Sequence, residues 1–413
     1  MSDDASPRPG AAETPAIARN NHTRRNVVLL AAGLALSMSG GSLVMTVTAL
    51  TGTMLAPRPE LATLPLTVQF ILTMAATIPA SMFMRRFGRR IGFSVGQLIG
   101  VIGALVSCYA IFVLDFWLFA VGGGLIGAHN AFWQYYRFAA ADTASADYKS
   151  RAISYVMAGG VAAAVLGPEL AKHSRDLFEP ILFAGSYAVL GLLCLLTVAL
   201  LQFIRIPDLT VEERKHSGRP LRVIARQPVF IIAVLSAMLG YAVMSLVMTA
   251  TPLAMVACGH DFADTALVIQ WHVLGMTVPS FFTGHLVRRF GALTIIKAGA
   301  LLNLGTVVVG LSGIDVTEFF LALLLLGVGW NFMFVGGTTL LTDAYTPTER
   351  NKVQALNDFL VFGLVSVASL AAGAIQNLLG WQAINLTVIA PMLIAFLAAL
   401  WLRRFNRQNR AAA

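Results

Sequence analysis

The sequence predicts an all-α integral membrane protein with twelve transmembrane helices in two pseudo-symmetric bundles of six. Three observations lead there. Of the 413 residues, 57% are hydrophobic and 12% charged, about half the charge of an ordinary soluble domain, and the mean hydropathy is +0.75. Apolar runs of roughly the 20 residues that cross a hydrocarbon core recur along the chain, such as NVVLLAAGLALSMSGGSLVMTVTAL from Asn26 and FFLALLLLGVGWNFMFVGGTTLLT from Phe319. Landmarks also repeat: Pro79 and Pro279, Arg85-Arg86-Phe87-Gly88 and Arg288-Arg289-Phe290-Gly291, Asp142 and Asp343, at offsets of 200, 203 and 201 residues.

Hydropathy punctuated by Arg, Asp, Gly and Pro starts the spans near Val27, Thr63, Gly92, Phe116, Ala152, Leu182, Val229, Thr265, Ala292, Phe319, Val353 and Trp381. Residues 1–26 read as a polar tail, and the apolar run after them is too long and too late for a cleaved signal peptide, so it stays as span 1. Spans 1 to 6 occupy 27–204, a connector 205–228, spans 7 to 12 occupy 229–402, and 403–413 is a second tail. The connector is the longest link and lies at the middle, and parallel six-span repeats with a solute site between them are a known way to build a transporter.

Charge sets the orientation. With both tails and the even-numbered connections on one side, that side collects Arg24, Arg25, the arginines from Arg85 to Arg90, Lys149, Arg151, six cations from Arg205 to Arg226, Arg288, Arg289, Arg350, Lys352 and the arginines after Trp401, whereas the other side has Arg58, Lys172 and Arg175. The positive-inside rule makes both termini cytoplasmic, in a bacterial inner membrane. The net charge of +9 thus reports topology and requires no nucleic-acid partner. Cys108, Cys194 and Cys258 are odd in number and form no metal-ligand spacing, so they read as small buried hydrophobes.

Four cations and a glycine stand between apolar runs in RRFGRRIG, from Arg85. Gly88 permits a tight reversal while the arginines stay in the headgroup layer. Here the chain resembles the major facilitator superfamily, over essentially its whole length. The family's signature between helices 2 and 3 reads Gly-x-Leu-x-Asp-Arg-x-Gly-Arg/Lys-Arg/Lys. In this sequence Arg86, Gly88, Arg89 and Arg90 match it, while Ser81 stands at the first Gly and Arg85 at the Asp. The second copy keeps Gly284, Leu286, Arg289 and Gly291 but has Arg288 at the Asp. The resemblance implies that the Asp position latches the two halves on the cytoplasmic side. An arginine there needs an acidic partner, Asp358 in span 11 or its rival Asp142, giving a latch of inverted polarity; the arginines' other reading is topology alone. Exporters of the family often carry glycines ending in Gly-Pro in helix 5, and Gly159, Gly160, Gly167 and Pro168 match in part, with Glu169-Leu170 departing. The helix-4 arginine of proton-coupled members is absent, since Gly123 stands four residues before Gly127.

The resemblance further implies that helices 1, 4, 7 and 10 line a central cavity. Polar and aromatic residues at helical spacing then nominate His129, Asn130, Trp133, Tyr136 and Arg137 in span 4, Tyr241 and Ser245 in span 7, Trp330, Asn331 and Phe334 in span 10, and Gln270 and His272 in span 8. Ionisable groups in mid-membrane are costly and usually face a cavity or a partner. His129 and His272 therefore read either as solute or proton contacts or as neutral imidazoles bonded to a neighbouring helix; Arg137 either touches solute or snorkels. Glu169 either carries a proton or pairs with Lys172 or His173.

Phosphate-loop, zinc-protease and nucleophile-elbow motifs do not occur. The expectation is a non-enzymatic, gradient-driven carrier, coupled to protons, that moves a small organic solute, with no catalytic residue, metal or cofactor, working as a monomer among membrane lipids. A multidrug or metabolite efflux antiporter of the same fold is the alternative within the class, and a transport-inactive scaffold or sensor the one outside it.

Overall fold

The computed structural model describes residues 16–136, 139–140, 149–206, 218–346 and 349–412. Arg137, Asp142 and the Arg85 side chain lie outside the described residues. The first half consists of α1 (Ala16–Leu55), α2 (Leu64–Phe87), α3 (Arg89–Phe112), α4 (Phe116–Trp133), α5 (Lys149–Ser174) and α6 (Ala184–Leu201). After a short helix, Leu221–Ala225, come α7 (Pro228–Ala257), the two arms of α8 (Phe262–Thr277 and Ser280–Phe290), α9 (Ala292–Ser312) and α10 (Val316–Thr342). The last rod, Arg350–Ala412, is divided at Gly380, whose φ of 76° and ψ of −175° are non-helical, into α11 (350–379) and α12 (381–412). Among the described residues no strand occurs.

Eleven of the helices start within three residues of the positions read from the sequence. The exception is α1, which begins at Ala16, so the polar segment before Val27 is helical in part. The segment after Leu402 likewise continues α12 as far as Ala412. Among the described residues, eight helices are each long and apolar enough to cross a membrane, nine if the arms of α8 are joined. The α11–α12 rod is one of these, and the less apolar α4 and α5 carry His129, Asn130, Glu169 and Lys172. The chain is a multi-pass membrane protein.

Between lipid-embedded helices there is little hydrophobic driving force, so close packing and interhelical hydrogen bonds hold them. In the first bundle α4 lies between α2 and α3, α1 lies on α5, and α3 on α6. The second repeats this, with α10 between α8 and α9, and α7 and α9 on the α11–α12 rod. Glycines allow the approach: an added Cβ at Gly127 in α4 would overlap the Gln69 carbonyl of α2, and one at Gly327 in α10, 200 residues on, the His272 carbonyl of α8. The turns repeat as well. Gly88 and Gly291 have φ of 85° and 82° with ψ of 157° and 147°, and the guanidinium of Arg86 lies 5.3 Å from the Phe87 ring centre, as that of Arg289 does from Phe290.

The halves meet where α2 packs on α11 and α5 on α8. At the end away from Gly88 and Gly291, Asn377 donates to the Pro59 carbonyl at 2.9 Å, and a Cβ added to Gly373 would stand 2.6 Å from Thr63 Oγ. Across the α5–α8 side, Phe183 and Phe262 are 5.7 Å apart. Toward the Gly88 end the facing surfaces part. On α2, Met74 is half-buried beside Gly363, but Ile78 and Met82, one and two turns on, are 49% and 65% exposed. On α8, Thr277 is half-buried beside Gly160, but Phe281, four residues on, is 53% exposed. The contacts named between the halves thus lie toward the arginine-poor end, and Ile78, Met82 and Phe281, toward the arginine-rich one, are exposed.

Candidate functional site

Where the halves meet they enclose an aromatic cluster. Tyr241 of α7 meets Trp330 of α10 edge-on at 5.3 Å, and Phe334 of α10 and Phe362 of α11 at 5.7 Å each. Trp330 and Phe334, one helical turn apart, stack at 4.9 Å and 10°. Phe70 and Met74 of α2 and Met45 of α1 close the cluster from the other half. Tyr241, Trp330 and Phe334 are half-buried, and Thr338, one turn beyond Phe334, is exposed. Offset and edge-to-face ring pairs of this kind make a rigid apolar surface suited to a flat aromatic solute. Ser245, one turn from Tyr241 on α7, is fully buried.

Of the other predicted cavity residues, His129, Tyr136 and His272 lie in seams between helices of one half. A polar side chain in an apolar medium is held by the nearest backbone or polar partner, and that partner lies on a neighbouring helix of the same half. His129 is 2% exposed with Nδ1 3.1 Å from the Gly96 carbonyl, inside the α3–α4 seam. His272 is buried with Nδ1 2.7 Å from the Leu323 carbonyl, in the α8–α10 seam. Each imidazole thus has a hydrogen-bond partner on a neighbouring helix. Tyr136 is fully buried, its hydroxyl accepting from Gln97 Nε2 at 2.8 Å, while the same amide is 2.8 Å from Ser37 Oγ. Trp133 Nε1 donates to Asn130 Oδ1 at 2.9 Å, and Gln270 is half-buried on α8.

Asn331 serves the bend of α8. Its Nδ2 donates to the Met276 carbonyl at 2.7 Å and to Ser280 Oγ at 2.6 Å, and its Oδ1 lies 2.7 Å from Thr283 Oγ. These bonds replace what the 41° break around Pro279 removes from the ladder. Pro79, the matching proline, sits inside an unbroken α2. In α5, Gly167 lies against Ser42 and the Ser39 carbonyl of α1, with Pro168 inside the helix. Glu169 is 46% exposed and pairs with His173 at 3.5 Å, its structural reading.

At the arginine-rich end, Arg90 donates to Gln202 at 3.1 Å, and Asp358 Oδ1 accepts from Asn357 Nδ2 at 3.1 Å. A clamp that the sequence did not reveal joins the connector to the α10–α11 turn. Arg219 Nε and Nη2 donate to the two carboxylate oxygens of Glu349, 2.8 Å each, and its backbone N–H donates at 2.7 Å. Thr346 N–H adds a bond at 2.9 Å, and Lys352 reaches the Arg219 carbonyl. Glu349 is 1% exposed, and the Arg219 side chain 45%. The Arg219 hydrogen bonds, with that of Thr346, hold the Glu349 carboxyl well below the usual carboxylate range. Among the described residues no cluster of His, Cys, Asp and Glu could hold a metal ion.

Two halves repeated in sequence, packing and turn geometry around a mid-membrane cluster describe a general transporter plan. The profile of the Major Facilitator Superfamily matches residues 28–311 and 237–413. The chain belongs to the major facilitator superfamily. Its curated relatives include the riboflavin transporter RfnT of Brucella anthropi, 42% identical over 382 residues that cover 92% of this chain and 96% of that protein. The uncharacterized transporter YddS of Bacillus subtilis is 30% identical over 71% of this chain and 70% of its own length. Among solved structures, a bacterial homolog of the human lysosomal transporter Spinster aligns with a TM-score of 0.70 in its inward-facing, unoccupied form, at 15% identity, over 92% of this chain and 97% of that one. Its inward-facing, occupied form gives 0.70 at 14% identity over 93% and 97%. At such identity the likeness shows the fold. As a major facilitator protein the chain is a solute transporter and not an enzyme.

Proposed function

We propose that this carrier moves riboflavin, or a flavin with the same ring system, across the bacterial cytoplasmic membrane by alternating access. It works as a single chain with both tails in the cytoplasm, and a proton gradient drives it. The observation that carries the reading is the 42% identity, over 92% of the chain, to a riboflavin transporter. The Tyr241, Trp330 and Phe334 rings support it, because a tricyclic ring stacks on such a surface. The crowding of arginines at the end where Ile78, Met82 and Phe281 are exposed supports the orientation, and we read this as the inward-facing state, with a crevice open at that end. The inner latch we assign to Arg85, near the end of α2, and Asp358, on α11, because these helices pack on each other; it forms when the crevice shuts. Counterflow of labelled riboflavin in proteoliposomes tests the substrate, independently of direction. Accumulation above a protein-free control is expected; its absence overturns the substrate. An imposed pH gradient that leaves the rate unchanged overturns the coupling alone. Charge reversal at both positions, R85D with D358R, should restore transport that each single change impairs.

A further inference from the structure

Trp330 differs from Trp133 and Trp381 of this chain. The indole N–H of Trp133 donates to Asn130 Oδ1 at 2.9 Å, and that of Trp381 to the Gly310 carbonyl at 3.1 Å. Trp330 Nε1 is buried without an acceptor. So is the Ser245 hydroxyl, on a side chain with no exposure at all. Two other unmet polar atoms lie in seams within one half, Asn303 Oδ1 against Gly329 and Asn385 Oδ1 against Gly310. Trp330 and Ser245 are instead tied to the inter-half cluster, Trp330 by its own ring contacts and Ser245 by lying one turn from Tyr241 on the same face of α7.

An unmet donor in an apolar interior loses its hydration and regains nothing. Its partner has to arrive from elsewhere. The Trp330 ring is already fixed, stacked on Phe334 and braced edge-on by Tyr241, so the direction of its N–H is set before a solute enters. A solute that lies flat on this cluster and carries an acceptor on its ring edge supplies both missing interactions. The flavin ring has that chemistry: a planar tricycle with two carbonyl oxygens on its pyrimidine-dione edge.

We infer that Trp330 is the specificity-determining residue of the flavin seat, its indole N–H donating in the ring plane to a carbonyl oxygen of the dione edge while the flavin, coplanar with the indole, stacks on Phe334. The Ser245 hydroxyl supplies the next polar contact along the same edge. This inference rests on the riboflavin reading above, and adds how the site distinguishes a flavin from another flat ring of equal size.

Binding of riboflavin and of acridine, a tricycle without the dione, to the purified full-length protein tests it, followed by fluorescence. The unchanged protein should prefer riboflavin by at least about tenfold, the weight of one well-placed hydrogen bond. W330F keeps an aromatic ring but removes the donor: riboflavin Kd should rise about tenfold and acridine Kd should hold, so that the preference disappears. F334L, which keeps the donor and loses the stack, should weaken both ligands alike. W401F, on α12 where Trp401 is 52% exposed, controls for the loss of a tryptophan. Melting curves identify any variant that fails to fold, and the riboflavin-to-acridine ratio of the unchanged protein is a reading that needs no variant. Equal affinity for the two ligands, or W330F binding riboflavin as the unchanged protein does, overturns the role of Trp330 and leaves riboflavin transport standing. Neither binding nor counterflow of riboflavin by the unchanged protein overturns both.

Discussion

The guanidinium of Arg175, at the end of α5, lies 5.1 Å from the centre of the Phe262 ring at the start of α8, joining the two halves across the closed end. Phe183, in contact with Phe262, lies beside the same guanidinium at 5.7 Å, and its backbone, at φ 66°, donates to the Arg175 carbonyl at 2.8 Å. The Arg175 side chain is 33% exposed, and a cation over a ring at such a site is worth about 0.5–1 kcal/mol. R175A or F262A should therefore move the balance toward the outward-open state by roughly two- to five-fold. Spin labels at positions 172 and 263 report the separation of the halves. A distance distribution unchanged in both variants would show that the contact bears no load.

The Arg219–Glu349 clamp leads to a pH prediction. A carboxyl whose folded pKa is depressed contributes stability that is fully present above its unfolded pKa, about 4.3, and is lost as pH falls through the lower folded value. From about pH 8 to about pH 5 the clamp should contribute a constant amount. E349Q should lower the melting temperature across that range by a constant margin, and the margin should shrink in acid below about pH 4. A margin that varies between neutral pH and about pH 5 would assign the effect to another group.

Asn331 satisfies three polar partners at the bend of α8 and is fully buried. N331L leaves the Met276 carbonyl without its side-chain donor, an orphaned buried acceptor costing about 1–3 kcal/mol. N331D keeps the shape and removes both donors, so it should destabilise too, whereas a variant that merely fills the volume would be neutral if packing were all that mattered. Thermal or denaturant unfolding in detergent orders the three proteins. Equal stability of N331L and the unchanged chain would detach the bend from this residue.

The helices were legible because a lipid environment restricts spanning segments to apolar runs closed by charge, Gly or Pro, and this chain obeys that almost everywhere. The start of α1 at Ala16 was not, since a polar helix outside the bilayer carries no hydropathy signal. In the site, Tyr241, Trp330 and Phe334 could be nominated from spacing on two helices, and the structure brings them together. His129 and Tyr136 were nominated by the same rule but face α3, because a polar residue inside a span is equally at home in a crevice or in a seam. Phe70 and Phe362 were passed over, since one sequence does not separate a phenylalanine between halves from one facing lipid. Arg219 with Glu349, and Arg175 with Phe262, join segments far apart in the chain and require the fold to be seen.

The duplicated reversal gives the last prediction. Gly88 and Gly291 combine φ near 85° with extended ψ, a region that residues with a Cβ occupy at a cost of about 1–3 kcal/mol. An added Cβ at Gly291 meets nothing within 4 Å, so its penalty is one of backbone conformation and not of crowding. G291A should therefore cost that range, and G88A, with nearly the same angles, a closely similar amount, although the following residues differ between the copies. Replacement by Asn should recover none of the loss, because the left-handed region that Asn tolerates has a ψ of about +47°, not the extended ψ of these two turns. Side-by-side unfolding of the four variants is the measurement. If G88A and G291A differ by more than about 1 kcal/mol, the two turns do not bear equal strain, and the second copy of the signature has diverged in energy where it has not diverged in shape.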